Sequence, residues 1–322
     1  MSMHPLHLLS WARTWALVGA FALTLAPVPS PGSQPAAAIR RPAVGAPGAS
    51  GATQPPRSKD SVRFAVIGDS GTGGQSQYDV GARLAGSLQA FPFEFVLMLG
   101  DNIYGSERPQ DFVLKFEKPY AEILARKIPF YASLGNHDDP NQRFYQPFNM
   151  NGKRFYSFTK KGARFFALDS NYMDRDQQDW LARELEASRD RWKIAFFHHP
   201  LYSSGARHGS EVDLRDTVEP LFQKYRVGVV FAGHEHFYER LKPQHGIHYF
   251  TSGGAAKLRA GNIRPGPLTA KGFDSDYSYM LVEIDGEQMH FQTLSRRGQL
   301  VDSGTITPEA VNSSSQPGGA EP

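Results

Sequence analysis

The sequence predicts a layered α/β domain, with mixed β-sheets flanked by helices, and three observations predict it. From Ser61 onward, short β-branched or aromatic runs alternate with longer amphipathic stretches, the pattern of strands and helices packed in layers. Residues 154–169 read as a hairpin around Lys160, Lys161 and Gly162, so the sheet is mixed and not purely parallel. No internal repeat organises the chain.

Strands are expected at 63–67, 94–99, 130–133, 155–159, 164–169, 193–198, 228–231 and 247–251, with a final pair between 278 and 294. Each is a short apolar run bounded by polar or glycine punctuation. Helices are expected between them at 78–90, 111–126, 176–188 and 214–225. Pro119 lies inside the second helix, where it removes an N–H and crowds the preceding turn, so it should kink or divide that helix.

The two ends read differently from this body. Arg13 precedes a weakly polar run from Trp15 to Leu25, closed by Ala26 and Pro27, with Ala36, Ala37 and Ala38 downstream. These are the parts of a secretory signal, expected over 1–38 with cleavage after Ala38. An uncleaved membrane anchor is the alternative, but a span needs about 20 consecutive apolar residues, and Pro27, Pro29 and Pro31 interrupt the run. Residues 39–60 are rich in Ala, Pro, Gly and Ser, a composition that buries too little apolar surface to order itself, and read as a linker; 308–322 read as a disordered tail. The expected organisation is therefore signal, linker, one domain over 61–307 and tail, in a secreted or periplasmic protein with no stable membrane span after cleavage.

The chain carries 35 basic and 32 acidic residues. Arg13, Arg40, Arg41, Arg57 and Lys59, against Asp60, account for the excess, leaving 30 and 31 in the remainder. A nearly neutral body lacks the basic footprint of a nucleic-acid binder. The absence of cysteine excludes disulfides, thiolate metal sites and a cysteine nucleophile. Any metal must be held by oxygen and imidazole.

Five apolar runs end alike. Ile67 leads into Gly68-Asp69-Ser70-Gly71, Leu99 into Gly100-Asp101-Asn102-Ile103-Tyr104, and Leu134 into Gly135-Asn136-His137-Asp138. Phe197 leads into His198-His199-Pro200, and Ala232 into Gly233-His234-Glu235-His236. A single Gly-Asp after a strand is more often a turn or a helix cap, and a lone buried histidine more often a satisfied core residue. Five such edges in one chain are a different matter, because ligands of open α/β sheets bind beyond the carboxyl ends of the strands.

In their order these motifs resemble the calcineurin-like metallophosphoesterases, and among them the purple acid phosphatases. The usual first motif of the superfamily is Asp-x-His, whereas here Gly71 stands at the histidine position and Tyr104 follows Asp101 by three. That combination marks the purple acid phosphatases. The resemblance runs from about Val62 to Leu294 and is to their short, tartrate-resistant-like form.

The resemblance implies the metallophosphoesterase fold and two metal ions at strand ends. The first would be held by Asp69, Asp101, Tyr104 and His236, the second by the same Asp101, Asn136, His198 and His234. Hard oxygen and borderline nitrogen donors suit Fe, Zn or Mn; a tyrosinate favours Fe(III) in the first site, with a divalent Fe, Zn or Mn in the second. The family's spacing before the proline selects His198 over His199, leaving His199 a supporting role. Glu235 should point away from its two neighbours. His137, beside Asn136, would contact the phosphate and serve the leaving group, and His208 in a polar loop would be a second phosphate contact. His245 and His248 read as surface or packing residues.

The implied activity is an exported acid phosphatase, in which hydroxide generated on the metals attacks a small phosphomonoester, with an acid optimum. A phosphodiesterase of the same fold, acting on cyclic nucleotides or another diester, is the nearest alternative. An exported protein that captures iron or phosphate without turnover is the other.

Overall fold

The computed structural model describes residue 58 and residues 60–307; the expected signal, nearly all of the expected linker and the expected tail lie outside these described residues. Thirteen strands are found among them: β1 (Val62–Ile67), β2 (Phe95–Leu99), β3 (Phe130–Ser133), β4 (Tyr156–Lys160), β5 (Ala163–Ala167), β6 (Trp192–Phe197), β7 (Val229–Ala232), β8 (Tyr238–Leu241), β9 (His248–Ser252), β10 (Thr269–Phe273), β11 (Ser278–Asp285), β12 (Gln288–Ser295) and β13 (Leu300–Ile306). The α-helices are α1 (Gln75–Ser87), α2 (Pro109–Phe112), α3 (Ala121–Ala125), α4 (Arg175–Ala187) and α5 (Val212–Tyr225).

The strands make two mixed sheets, ordered β13-β12-β11-β1-β2-β3 and β10-β8-β9-β7-β6-β5-β4. In the first, β1, β2 and β3 run parallel and β11 joins β1 antiparallel. In the second, β5, β6, β7 and β9 run parallel, with antiparallel β4 and β8 attached. The parallel strands of each sheet therefore present their carboxyl ends together.

Period-two alternation explains how the layers stack. Along β5, β6 and β7, Phe165, Ile194, Phe196, Val229 and Phe231 enter one core cluster, while their neighbours Phe166, Ala195, Phe197 and Val230 enter another. The first cluster lies between the sheets, where Phe64 of β1 meets Phe165 edge-on at 5.3 Å and Phe231 at 6.0 Å. The second is closed by Leu181 and Leu185 of α4 and Val218 and Phe222 of α5. Successive side chains of a strand point to opposite faces, so each strand is buried on both. Val80 and Leu84 of α1 and Ile123 of α3 pack with the first sheet, giving the layer order helix, sheet, sheet, helix.

The expected hairpin is β4–β5, turned by Lys161 and Gly162 at φ 45° and 82°, the pair of positive φ values that a two-residue turn of this twist requires. The expected helix over 111–126 is divided: α2 runs into a π-turn over Val113–Glu117, in which the Lys118 N–H reaches the Val113 carbonyl at 2.9 Å, and α3 restarts after Pro119. Three strands beyond those expected, β8, β10 and β13, widen both sheets.

Candidate metal centre

The ends of β1, β2 and β3 in one sheet meet those of β6, β7 and β9 in the other, and backbone hydrogen bonds fasten the edges together. Asp69 N–H donates to Gly100 O at 3.1 Å, Gly71 N–H to Asp101 O at 3.2 Å, Gly233 N–H to His198 O at 2.9 Å and Ala255 N–H to Gly68 O at 3.3 Å. Asp69, Asp101 and His234 all sit at positive φ (55°, 52° and 67°). Non-glycine residues hold that conformation only when their surroundings enforce it, and it recurs at functional sites. Here it turns each side chain back across the strand ends.

Two groups of donor atoms form there. In the first, one ligand atom each of Asp69, Asp101 and His236 falls within a 4.8 Å set. The Tyr104 hydroxyl joins it, donating to Asp69 Oδ1 at 3.1 Å and standing 3.3 Å from His236 Nε2. In the second, Asn136 Oδ1 lies 2.9 Å from His198 Nε2 and 3.0 Å from His234 Nδ1, and these two nitrogens are 3.1 Å apart. Asp101 Oδ1, 3.4 Å from His198 Nε2, lies between the groups.

Burial sets the charge states. It pushes the Asp69 carboxyl well above the usual carboxylate range, helped by the negative charge of Asp101. Burial, then the charges of Asp69 and Asp101, drive the Tyr104 phenol far above its ordinary value. Burial lowers His236 to about 3, with Arg259 and Lys257 adding to the effect, and lowers His234 to about 2, with His198 and His199 adding. His198 is pushed well below the ordinary imidazole value, again by burial first.

These residues fit a pair of cations. Leu99 O can only accept, so His198 Nδ1 at 2.9 Å carries the proton and its Nε2 turns a lone pair toward the Asn136 oxygen. Acceptor facing acceptor at that distance, beside buried carboxylates and a phenol, is relieved by positive charge among them. The donor set is oxygen and imidazole with no sulfur, suited to Fe, Zn or Mn.

Three further histidines lie around this centre. His137 is exposed, its backbone N–H donating to Asp101 Oδ1 at 3.0 Å and its ring centroid 4.9 Å from that of Tyr104. The His208 ring is 4.2 Å from the His234 ring. His199 is within reach of the second group, yet its Nδ1 is engaged with Ser170 Oγ at 2.8 Å. Glu235 is fully buried and turns into the His208 loop, accepting from Gly209 N–H at 2.9 Å, His208 N–H at 3.3 Å and Asn262 Nδ2 at 3.2 Å.

Sequence reasoning did not single out Asp138, whose carboxylate accepts from Gly135 N–H, Ile103 N–H, Asn102 Nδ2 and Gln142 Nε2 and so ties the second motif to the third. Burial raises it to about 7. It also passed over a sixth strand edge, where β9 runs into Gly253 and Gly254, a glycine pair after an apolar run with no ligating side chain to mark it.

Comparison with known proteins agrees with this fold. The family model of the calcineurin-like phosphoesterases matches residues 62–238, more than half of the chain, and the chain belongs to that family. Its curated relatives include purple acid phosphatase 17 of Arabidopsis thaliana, 25% identical over 297 residues that cover 76% of this chain and 87% of that protein. Tartrate-resistant acid phosphatase type 5 of Homo sapiens is 27% identical over 236 residues, covering 60% of this chain and 72% of that protein. A purple acid phosphatase from yellow lupin (Lupinus luteus) seeds has the same fold, with a TM-score of 0.65 at 19% identity over 77% of this chain and 54% of that one.

Proposed function

We propose that this chain is an exported acid phosphatase that hydrolyses phosphomonoesters with two metal ions, one held by Asp69, Asp101, Tyr104 and His236 and the other by Asp101, Asn136, His198 and His234. One observation carries the reading: the Tyr104 hydroxyl reaches both Asp69 and His236 from a loop whose Tyr104 N–H is bonded to Gly71 O at 2.8 Å. Glycine at 71 and tyrosine at 104 are the departure from the general superfamily pattern, and they meet in one place. As a tyrosinate, Tyr104 favours Fe(III) in the first position, with Fe, Zn or Mn in the second. When bound, the two cations would hold the phosphate, lower the pKa of water and offset charge on the attacking and leaving oxygens.

The chain's own groups supply the rest. In this reading the exposed His137 donates a proton to the departing alkoxide oxygen, while Asp101, through the 3.0 Å bond from the His137 N–H, fixes where that ring starts. His208 contacts the phosphate from the His234 side, and Glu235 holds its loop. No protein nucleophile is required. Export rests on the segment 1–38, and the mass of the chain recovered from the export compartment of its host tests it, cleavage after Ala38 being expected.

Iron-loaded, oxidised protein should show a visible charge-transfer band that Tyr104→Phe abolishes while part of the activity survives, because the phenolate does not touch substrate. A wild-type protein with no such band would sink the purple phosphatase assignment. Turnover of nitrophenyl phosphate against its bis ester then decides for or against the phosphodiesterase.

A further inference from the structure

A cavity of about 430 Å³ opens beside the second group of donors, with Asn136 and His199 in its wall. That is the size of a small-molecule subsite. Tyr172, Leu214 and Glu211 also line it, and among the described residues no lysine or arginine does.

Its carboxylates differ in what they already hold. Asp169 is matched by Arg154 Nη1 at 2.7 Å and by Asn171 N–H at 3.0 Å. Asp138 accepts four donors. The Glu211 carboxylate holds nothing: the residue is the N-cap of α5, but its side chain caps no N–H and makes no ion pair or hydrogen bond among the described residues. Its backbone is nevertheless fixed, by Glu211 N–H to Pro200 O at 2.9 Å and Arg215 N–H to Glu211 O at 2.9 Å. Glu211 and His199 share the wall of the cavity, at the N-terminal end of α5. Tyr172, 60% exposed, adds an aromatic wall. Arg154, its charge taken up by Asp169 and Asp174, lies 6.0 Å from that ring. The opposite character prevails beside Tyr104, where Lys257 Nζ stands 4.3 Å over the ring and Arg259 approaches Glu235 at 3.6 Å.

Resting on the phosphatase reading, we propose that this cavity receives the alcohol half of the ester, and that Glu211 selects alcohols bearing a positive charge, so that monoesters of amino alcohols are the preferred substrates and those with a second anionic group are the poorest. A half-buried carboxylate on an anchored backbone, with no side-chain partner among the described residues, sharing a cavity wall with an aromatic ring and with no lysine or arginine, is an arrangement that recognises an ammonium group.

The test uses the metal-loaded protein at one pH, measuring kcat/KM for phosphoethanolamine, glycerol 3-phosphate and 3-phosphoglycerate, each divided by the value for nitrophenyl phosphate. The expected order is cationic, neutral, anionic. Glu211→Gln should shrink the preference for phosphoethanolamine over glycerol 3-phosphate by about fivefold, the size of a part-exposed charge pair, and Glu211→Asp should keep most of it. Division by nitrophenyl phosphate removes any shared effect on the neighbouring histidines. Equal or reversed preferences in the wild type, or a preference indifferent to Glu211→Gln, would overturn the proposal while leaving the phosphatase reading intact. No turnover of nitrophenyl phosphate would bring down both.

Discussion

At position 71 a side chain has no room, since a Cβ there would stand 1.9 Å from Asn102 O and 2.2 Å from the carbonyl carbon. The first motif's backbone bonds directly to the second, through Gly71 N–H to Asp101 O and Tyr104 N–H to Gly71 O, and this close approach delivers the phenol to Asp69. The missing histidine and the added tyrosine are thus one feature. Gly71→His should therefore not restore an imidazole ligand. It should cost about 3 kcal/mol of stability by overpacking and lower the iron content, measured by urea denaturation and metal analysis; a variant with wild-type stability and two metals per chain would contradict this. Asp101→Asn tests the atom between the two groups. The amide oxygen can still accept the His137 N–H, so what disappears is the charge, and both metals and essentially all activity should go with it. Two metals retained per chain would refute the bridging role. The positions of both donor groups were legible because each follows a local grammar of strand and polar side chain, with a glycine between them at every edge but that of His198. Glu235 and Glu211 were not, because the work each does depends on a loop some 25 positions away or on a cavity wall assembled from several segments, neither of which has a local pattern.

Among the elements, the strands read most clearly were those buried on both faces, whose unbroken apolar runs such as 64–67 and 194–197 leave little doubt about the sheet. The strands missed are of another kind. β10 is Thr-Ala-Lys-Gly-Phe on an exposed sheet edge, β13 mixes Asp, Ser and Gly with its apolar residues, and β8 is four residues that begin one residue after the His-x-His motif. Their pairing comes from neighbours already in place, a tertiary effect that overrides weak propensity. The divided second helix was legible from Pro119, but its π-turn was not, since the register shift depends on how the segment packs. The inter-sheet aromatic cluster tests the layered reading. Phe165 is fully buried and touches Phe64 and Phe95 edge-on at 5.3 Å each and Phe158 face-on at 4.9 Å. Phe165→Ala should destabilise the fold by about 3–5 kcal/mol through lost transfer energy and a residual cavity, seen as a lowered thermal midpoint. A loss below about 0.5 kcal/mol, the range of a surface change, would mean the two sheets do not share this core.

Across the whole molecule, folding two sheets face to face gathers buried carboxyls, a phenol and imidazoles that water would otherwise solvate, so the fold and its metals are thermodynamically linked. The direction of the pH dependence follows from the protonation states. In the metal-free protein Tyr104 keeps its proton throughout the neutral range and Asp69 is held above the carboxylate range, both chiefly by burial. His234 and His236, lowered to about 2 and about 3, are already neutral above roughly pH 4 and have no proton to lose. Metal binding between pH 5 and 7 must therefore expel the Tyr104 proton and any proton that burial holds on Asp69, whereas the ligand histidines contribute nothing. Affinity for iron should rise with pH by about tenfold per unit for each proton released, and the gap in thermal midpoint between loaded and metal-free protein, at fixed free iron, should widen from pH 5 to 7. Tyr104→Phe should lower the slope of log affinity against pH by about one proton, and the same difference should appear as one fewer proton released in calorimetric titrations run in buffers of different ionisation enthalpy. A gap that narrows as pH rises, or a slope that Tyr104→Phe leaves unchanged, would show that the phenol does not lose its proton to the metal and would remove Tyr104 from the first group of ligands.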